Sequence, residues 1–244
     1  MSELAIDARD LVFRHTPTRR QLARAPDAQP FELHLPTWQV PQGARVALHG
    51  PSGCGKTTLL ELVAGILPAD EGALVVQGQD LAQLSEAARR AHRITQVGFV
   101  FQDYPLVEHL DLVENVVLPY RLNPALQLEP GVRERAHALL SELDLAGKEH
   151  RLPRELSQGE RRRAAIARAL ITRAQLLLAD EPTASLDPDR SRAVIELLEG
   201  LSRDHGLTLL VVTHDPELLP RFDAVLEVWR HTRGAQSSRP QERP

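Results

Sequence analysis

The octapeptide Gly50-Pro-Ser-Gly-Cys-Gly-Lys-Thr57 constrains the chain more than any other segment. It follows a short apolar block at 44–49 (ARVALH) and runs into TTLLELVAGIL, where apolar residues recur at helical spacing. Strand, glycine-rich turn and helix in that order match the phosphate-binding loop G-x-x-x-x-G-K-[ST]. Its glycines let backbone N–H groups turn inward around a phosphate chain, at the positive end of the following helix. Gly50, Pro51, Ser52, Gly53, Cys54 and Gly55 form the cradle, and Thr58 follows in the helix. Lys56 brings a positive charge to the β and γ phosphates, and the Thr57 hydroxyl is placed to ligate Mg²⁺.

The rest of the chain supplies the elements such a loop requires. Residues 4–13 and 31–40 read as two strands, joined by a long loop from Thr16 to Pro30. GALVVQGQDL reads as a strand and turn, residues 84–92 as a helix, and QVGFVFQ (96–102) as a buried strand. From Leu110 to about Glu155 the pattern is helical, broken at Pro119, Pro124 and Pro130, and residues 159–173 form a further helix. LLLADE is a buried strand, 188–201 a helix, and LTLLVVTH a second buried strand. Alternation of this kind after residue 40 predicts an α/β fold with parallel strands, interrupted by a helical insertion. Residues 231–244 are polar and proline-bearing, and are expected to form a disordered tail.

A second chemical signal lies in Leu176-Leu-Leu-Ala-Asp-Glu181. An apolar strand ending in carboxylates places them at the C-terminal edge of the sheet, where ligands bind in open α/β folds. Asp180 then belongs to the magnesium shell, and Glu181 is placed to polarise an attacking water as general base. Composition narrows the partners. A net charge of −4 does not point to nucleic acid, and the run Arg161–Arg163, like Arg19-Arg20 and Arg89-Arg90, reads as a solvated face. A single cysteine excludes an intrachain disulfide and a cysteine-built zinc site. The N-terminus carries no secretory pattern, and no apolar run approaches the roughly 20 residues that span a bilayer.

The residues between the two motifs narrow the class. Leu156-Ser-Gln-Gly-Glu160, followed by RRRAAIARAL, resembles the LSGGQ signature of ABC ATPases. Gln102 in FVFQD, Ser185-Leu-Asp187 after Glu181-Pro-Thr, and His214 in VVTHD fall where that family has its Q-, D- and H-loops. The resemblance covers roughly residues 4–230. It implies a P-loop ABC-ATPase fold, with a RecA-like parallel-sheet core, an N-terminal antiparallel β subdomain and an inserted α-helical subdomain. The expected division is β subdomain and core at about 1–102 and 174–230, and helical subdomain at about 103–173.

The implied activity is ATP hydrolysis with Mg²⁺, as the motor of a transporter whose membrane permease is a separate chain. Lys56, Glu181 and His214 are then catalytic, and Thr57, Gln102 and Asp180 serve the metal. Ser157, Gln158, Gly159 and Glu160 clasp the γ-phosphate held by a second protomer, and Asp187 spans the interface between two copies. The segment VGFVFQDYPLVEHLDLVENV resembles that of lipoprotein-releasing, macrolide-export and cell-division ATPases, in which residues after the glutamine receive the permease. Gln102 to His109 are the expected contact here, on the cytoplasmic face of the inner membrane. Other readings are a soluble ABC ATPase acting on nucleic acid or ribosomes, and a regulatory subunit that binds nucleotide without turnover.

Three positions depart from the family pattern: Gln158 stands for glycine, Glu160 for glutamine, and His15 for the aromatic residue that stacks on adenine. The place of Cys54 within the loop predicts inhibition by thiol reagents.

Overall fold

The computed structural model describes residues 3–16 and 30–234; Arg19 and Arg20 lie outside them. Two five-stranded sheets carry the fold. The first is antiparallel and holds β1 (Leu4–His15), β2 (Phe31–Pro41), β4 (Glu71–Val76) and β5 (Gln79–Asp80), with a short tenth strand at its edge. Its long central hairpin pairs His15 with Phe31 and Leu4 with Pro41. Beside it, β1 and β4 shift register between Arg9 and Val12, where Asp10 takes a left-handed φ of 46°. Gly72, opposite, has no room for a side chain: an added Cβ would lie 2.1 Å from the Asp10 carbonyl oxygen.

The second sheet is parallel, in the order β6 (Val97–Val100), β7 (Leu176–Ala179), β8 (Thr208–Thr213), β3 (Arg45–His49), β9 (Ala224–Glu227). Its central strands read as unbroken apolar runs because both faces are covered. Leu177, Ala179, Leu209 and Val211 join the core beneath the helices, and Leu176, Leu178, Leu210 and Val212 join the core shared with the antiparallel sheet. Truncating one of these leucines to alanine costs about 2–5 kcal/mol.

Between β6 and β7 the chain is helical: α3 (Leu112–Val117), α4 (Pro119–Leu122), α5 (Pro130–Glu142) and α6 (Gln158–Leu170), after α1 (Lys56–Val63) and α2 (Glu86–Gln96) earlier in the chain. Pro119 and Pro130 sit at helix starts, where a missing N–H costs nothing. The last helix, α7 (Pro188–His205), ends on Gly206 in the left-handed conformation. The expectation of disorder from residue 231 onward is corrected for its first residues: His231 closes a short helical turn. Thr232 and Arg233 form β10 and pair with Leu33 and Glu32, while residues 235–244 fall outside the described part.

Candidate nucleotide-binding site

The turn after β3 is built on glycine conformations. Gly53 and Gly55 have φ of +76° and +96°, and Gly55 opens α1 from the left-handed region. At Gly55 the backbone is also crowded, because an added Cβ would lie 2.5 Å from Cζ of Phe31. Lys56, 5% exposed, folds back inside the turn and donates to the carbonyls of Gly50 at 2.8 Å and Pro51 at 3.0 Å. A buried ammonium whose hydrogen bonds go only to backbone carbonyls is poised for an anionic acceptor. Cys54 is fully buried beneath the loop, and burial pushes its thiol above the usual range. Inhibition by thiol reagents, expected from the motif, then requires the reagent to reach a sulfur that the fold turns inward.

Three strand ends bring acidic and basic groups to the same edge. Asp180, at the end of β7, accepts the Thr57 hydroxyl at 3.2 Å, and its backbone N–H bonds the Val100 carbonyl of β6. Burial pushes its carboxyl up; the Thr57 hydroxyl and the Lys56 charge oppose this, and the Glu181 charge adds to it. Glu181 follows with φ 43°, a left-handed conformation that costs a non-glycine residue about 1–3 kcal/mol. Its carboxylate lies 3.9 Å from Lys56 Nζ and 3.8 Å from Nδ1 of His214, the residue after β8. Lys56, Thr57, Asp180, Glu181 and His214 therefore meet at the C-terminal edge of β3, β7 and β8. Gln102 lies exposed two residues beyond β6 at that edge.

The donor set suits a nucleotide–magnesium pair. Among the described residues no group of three or more His, Cys, Asp or Glu side chains forms a metal cage. A Mg²⁺ ion here would draw on the Thr57 hydroxyl and the Asp180 carboxylate together with phosphate oxygens, the mode in which it is held beside nucleotides.

The signature segment lies elsewhere. Ser157 caps α6: its hydroxyl accepts the Glu160 N–H at 3.3 Å, and Glu160 accepts the Ser157 N–H at 2.6 Å. Lys148 pairs with the other Glu160 oxygen, and with the Ser157 contacts this holds the carboxyl down at about 2. Gln158 is the first helical residue, and neither it nor Gly159 has positive φ. A glycine at 158 is therefore not required by the backbone. Ser157, Gln158 and Gly159 line a cavity of about 600 Å³ with Ser185, Leu186 and Arg190, and no residue of the P-loop reaches it. Asp187 borders that region as the cap of α7, accepting the Arg190 N–H at 3.0 Å. Arg190 is the main cause of its lowered carboxyl pKa.

Some residues around the site escape sequence reasoning. His15 is exposed at the end of β1, and the aromatic ring that packs on the loop is that of its cross-strand neighbour Phe31. The arginine run is not a uniformly solvated face. Arg161 pairs with Glu108 at the surface, whereas Arg162 is 9% exposed and lies over the Tyr104 ring at 4.8 Å. The ring supplies an acceptor face that a count of charges does not reveal. Arg90, by contrast, is exposed beside Glu86.

The ABC transporter family profile matches residues 33–184. The chain belongs to this family. It is 42% identical over 189 residues to the ABC transporter ATP-binding protein YbbA of Escherichia coli K12, covering 78% of this chain and 82% of that protein. It is 41% identical over 187 residues to the lipoprotein-releasing ATP-binding protein LolD of Treponema pallidum, covering 77% and 82%. Among solved structures it is similar to the dimeric ATP-binding cassette MJ0796 bound to ADP and phosphate, with TM-score 0.74 and 26% identity over 91% of this chain and 94% of that one. This ABC ATPase is thus an ATP-hydrolysing subunit of a transporter, built on an antiparallel sheet, a parallel sheet and a helical insertion.

Proposed function

We propose that the ATPase drives a separate membrane permease by closing on a second copy of itself around two molecules of ATP. The observation that supports this reading is the separation of two clusters of candidate residues within one chain. The P-loop, Asp180, Glu181 and His214 meet at one sheet edge, while the capped start of α6 opens into a different cavity. The first turn of α6 offers unpaired N–H groups and the positive end of a helix, which suit an anion brought by another molecule.

In this reading the P-loop amides and Lys56 hold the phosphates, and Glu181 accepts a proton from the attacking water. His214, next to Glu181, stabilises charge at the γ-phosphate, and Gln102 completes the water and metal surroundings. Mg²⁺, held through Thr57 and Asp180, supplies neutralising charge at the phosphates. Phe31, packed on the loop at Gly55, faces the base in place of the exposed His15. The permease contact at Gln102 to His109 extends in this reading into an adjacent groove of about 530 Å³, lined by Phe99, Phe101, Leu118 and Leu122 with Arg90, Arg93 and Arg168 around it, where Pro105 is the one residue of that segment in the lining. Phe101 and Leu122 are 42% and 69% exposed, an apolar surface suited to a short helix from the permease. No helix among the described residues is long and apolar enough to cross a membrane. Attachment at the cytoplasmic face of the inner membrane then comes through the permease.

Phosphate release by wild type and Glu181→Gln tests the catalytic assignment. Loss of general-base catalysis lowers turnover about 10²- to 10⁴-fold with nucleotide still bound. Equal rates overturn it.

A further inference from the structure

One side chain links three parts of the site that are distant in sequence. The Tyr104 hydroxyl donates to the Pro182 carbonyl at 2.6 Å, one residue beyond Glu181. Its ring carries the guanidinium of Arg162 at 4.8 Å, and Arg162 lies one turn into the helix that Ser157 caps. Its backbone belongs to the turn that holds Gln102, closed by the Tyr104 N–H on the Phe101 carbonyl at 3.1 Å.

Both ends of the link are conformationally restrained. Tyr104 has φ 47° and Glu181 has φ 43°, in the region that side-chain-bearing residues rarely adopt. A strained backbone persists only where its surroundings over-determine it. At Glu181 those surroundings are the Ala184 N–H on its own carbonyl at 3.0 Å and the Tyr104 hydroxyl on the next carbonyl. Arg162 in turn is 9% exposed, with its Nε buried and unpartnered, so the Tyr104 ring is a principal support of that charge.

We propose that Tyr104 is a positioning residue for hydrolysis: its hydroxyl fixes the Pro182 carbonyl and thereby aims the Glu181 carboxylate. Through Arg162 the same ring ties that aim to the position of the signature helix. The inference rests on Glu181 acting as general base. A shift of the helical segment that moved Tyr104 would release Pro182 and slow hydrolysis without loosening ATP, because Tyr104 makes none of the P-loop contacts.

Tyr104→Phe removes the hydroxyl and keeps the ring over which Arg162 sits. With one hydrogen bond lost, kcat is expected to fall about three- to tenfold, and KM for ATP to stay within about twofold. Combined with Glu181→Asp, the substitution is expected to add no further loss, since both act through one carboxylate. Full multiplicative loss in the double variant overturns the inference, as does a wild-type kcat in Tyr104→Phe accompanied only by a lower melting temperature. Glu181→Gln separates the two levels. If it retains wild-type turnover, the general-base reading itself fails; if it is inactive while Tyr104→Phe is wild type, only the positioning role fails.

Discussion

Replacing Glu160 by glutamine keeps the shape of the side chain and its acceptor for the Ser157 N–H, but removes the charge that Lys148 faces. Lys148 is the largest cause of the depressed Glu160 carboxyl, followed by the Ser157 contacts. A fall from 4.5 to about 2 corresponds to about 3.4 kcal/mol of differential interaction. The pair sits near the surface, with side-chain exposures of 14% for Glu160 and 29% for Lys148, so solvent screening reduces the usable part to about 1–2 kcal/mol.

Its pH dependence has a definite sign. A carboxylate with a lowered folded-state pKa stabilises the protein above its unfolded value of 4.5, and that contribution vanishes as pH falls toward 2. Urea denaturation should therefore find Glu160→Gln less stable by about 1–2 kcal/mol at pH 7 and nearly as much at about pH 5. The difference should shrink to less than about half of its pH 7 value at about pH 3.5. A difference that is the same at both ends of this range, or absent at pH 7, refutes the argument that the Lys148–Glu160 pair anchors the signature.

Two more outcomes follow from the loop. Cys54, buried with its thiol pKa raised, should react with a maleimide at least about tenfold more slowly than an exposed cysteine; modification as fast as that of glutathione would show the loop open. Phe31→Ala removes the ring packed on Gly55 and should weaken ATP binding by about 1–3 kcal/mol in a fluorescent-nucleotide titration, with little effect from His15→Ala. A strong loss with His15→Ala and none with Phe31→Ala would return the base contact to His15.

Much of the fold was legible because its signals are local. LLLA and TLLVVT are apolar on successive positions, as strands covered on both faces must be, and the P-loop glycines announce their own turn. The strand β9 is not legible: its four residues are exposed or half-buried, and only pairing with β3 makes them a strand. The same holds for the Thr232–Arg233 edge, which a polar sequence hides and β2 recruits. Within the site, motif spacing identifies Lys56, Asp180, Glu181 and His214. It contains nothing about Tyr104 on Pro182, Arg162 on Tyr104, or Lys148 on Glu160. Those partners lie 78, 58 and 12 residues apart and meet only through packing.

The departures from the family pattern divide by what each position must do. At 158 the requirement is a residue that can begin a helix, and Gln158 meets it without positive φ. In the proposed function the segment would bind an anion through the first-turn N–H groups of α6, which glutamine leaves in place. At 160 the requirement is a side chain that closes the cap on Ser157. Glutamate does so with a full negative charge beside the anion site of the proposed function, an unfavourable choice taken alone. Lys148 changes the balance: paired with Glu160, it leaves the cap near neutral, and the Ser157 hydroxyl, already accepting the Glu160 N–H, keeps its own proton free to donate. Position 15 differs in kind, because what an aromatic residue supplies there is apolar area. His15 supplies less, and Phe31, directly across the hairpin, brings that area to the loop itself.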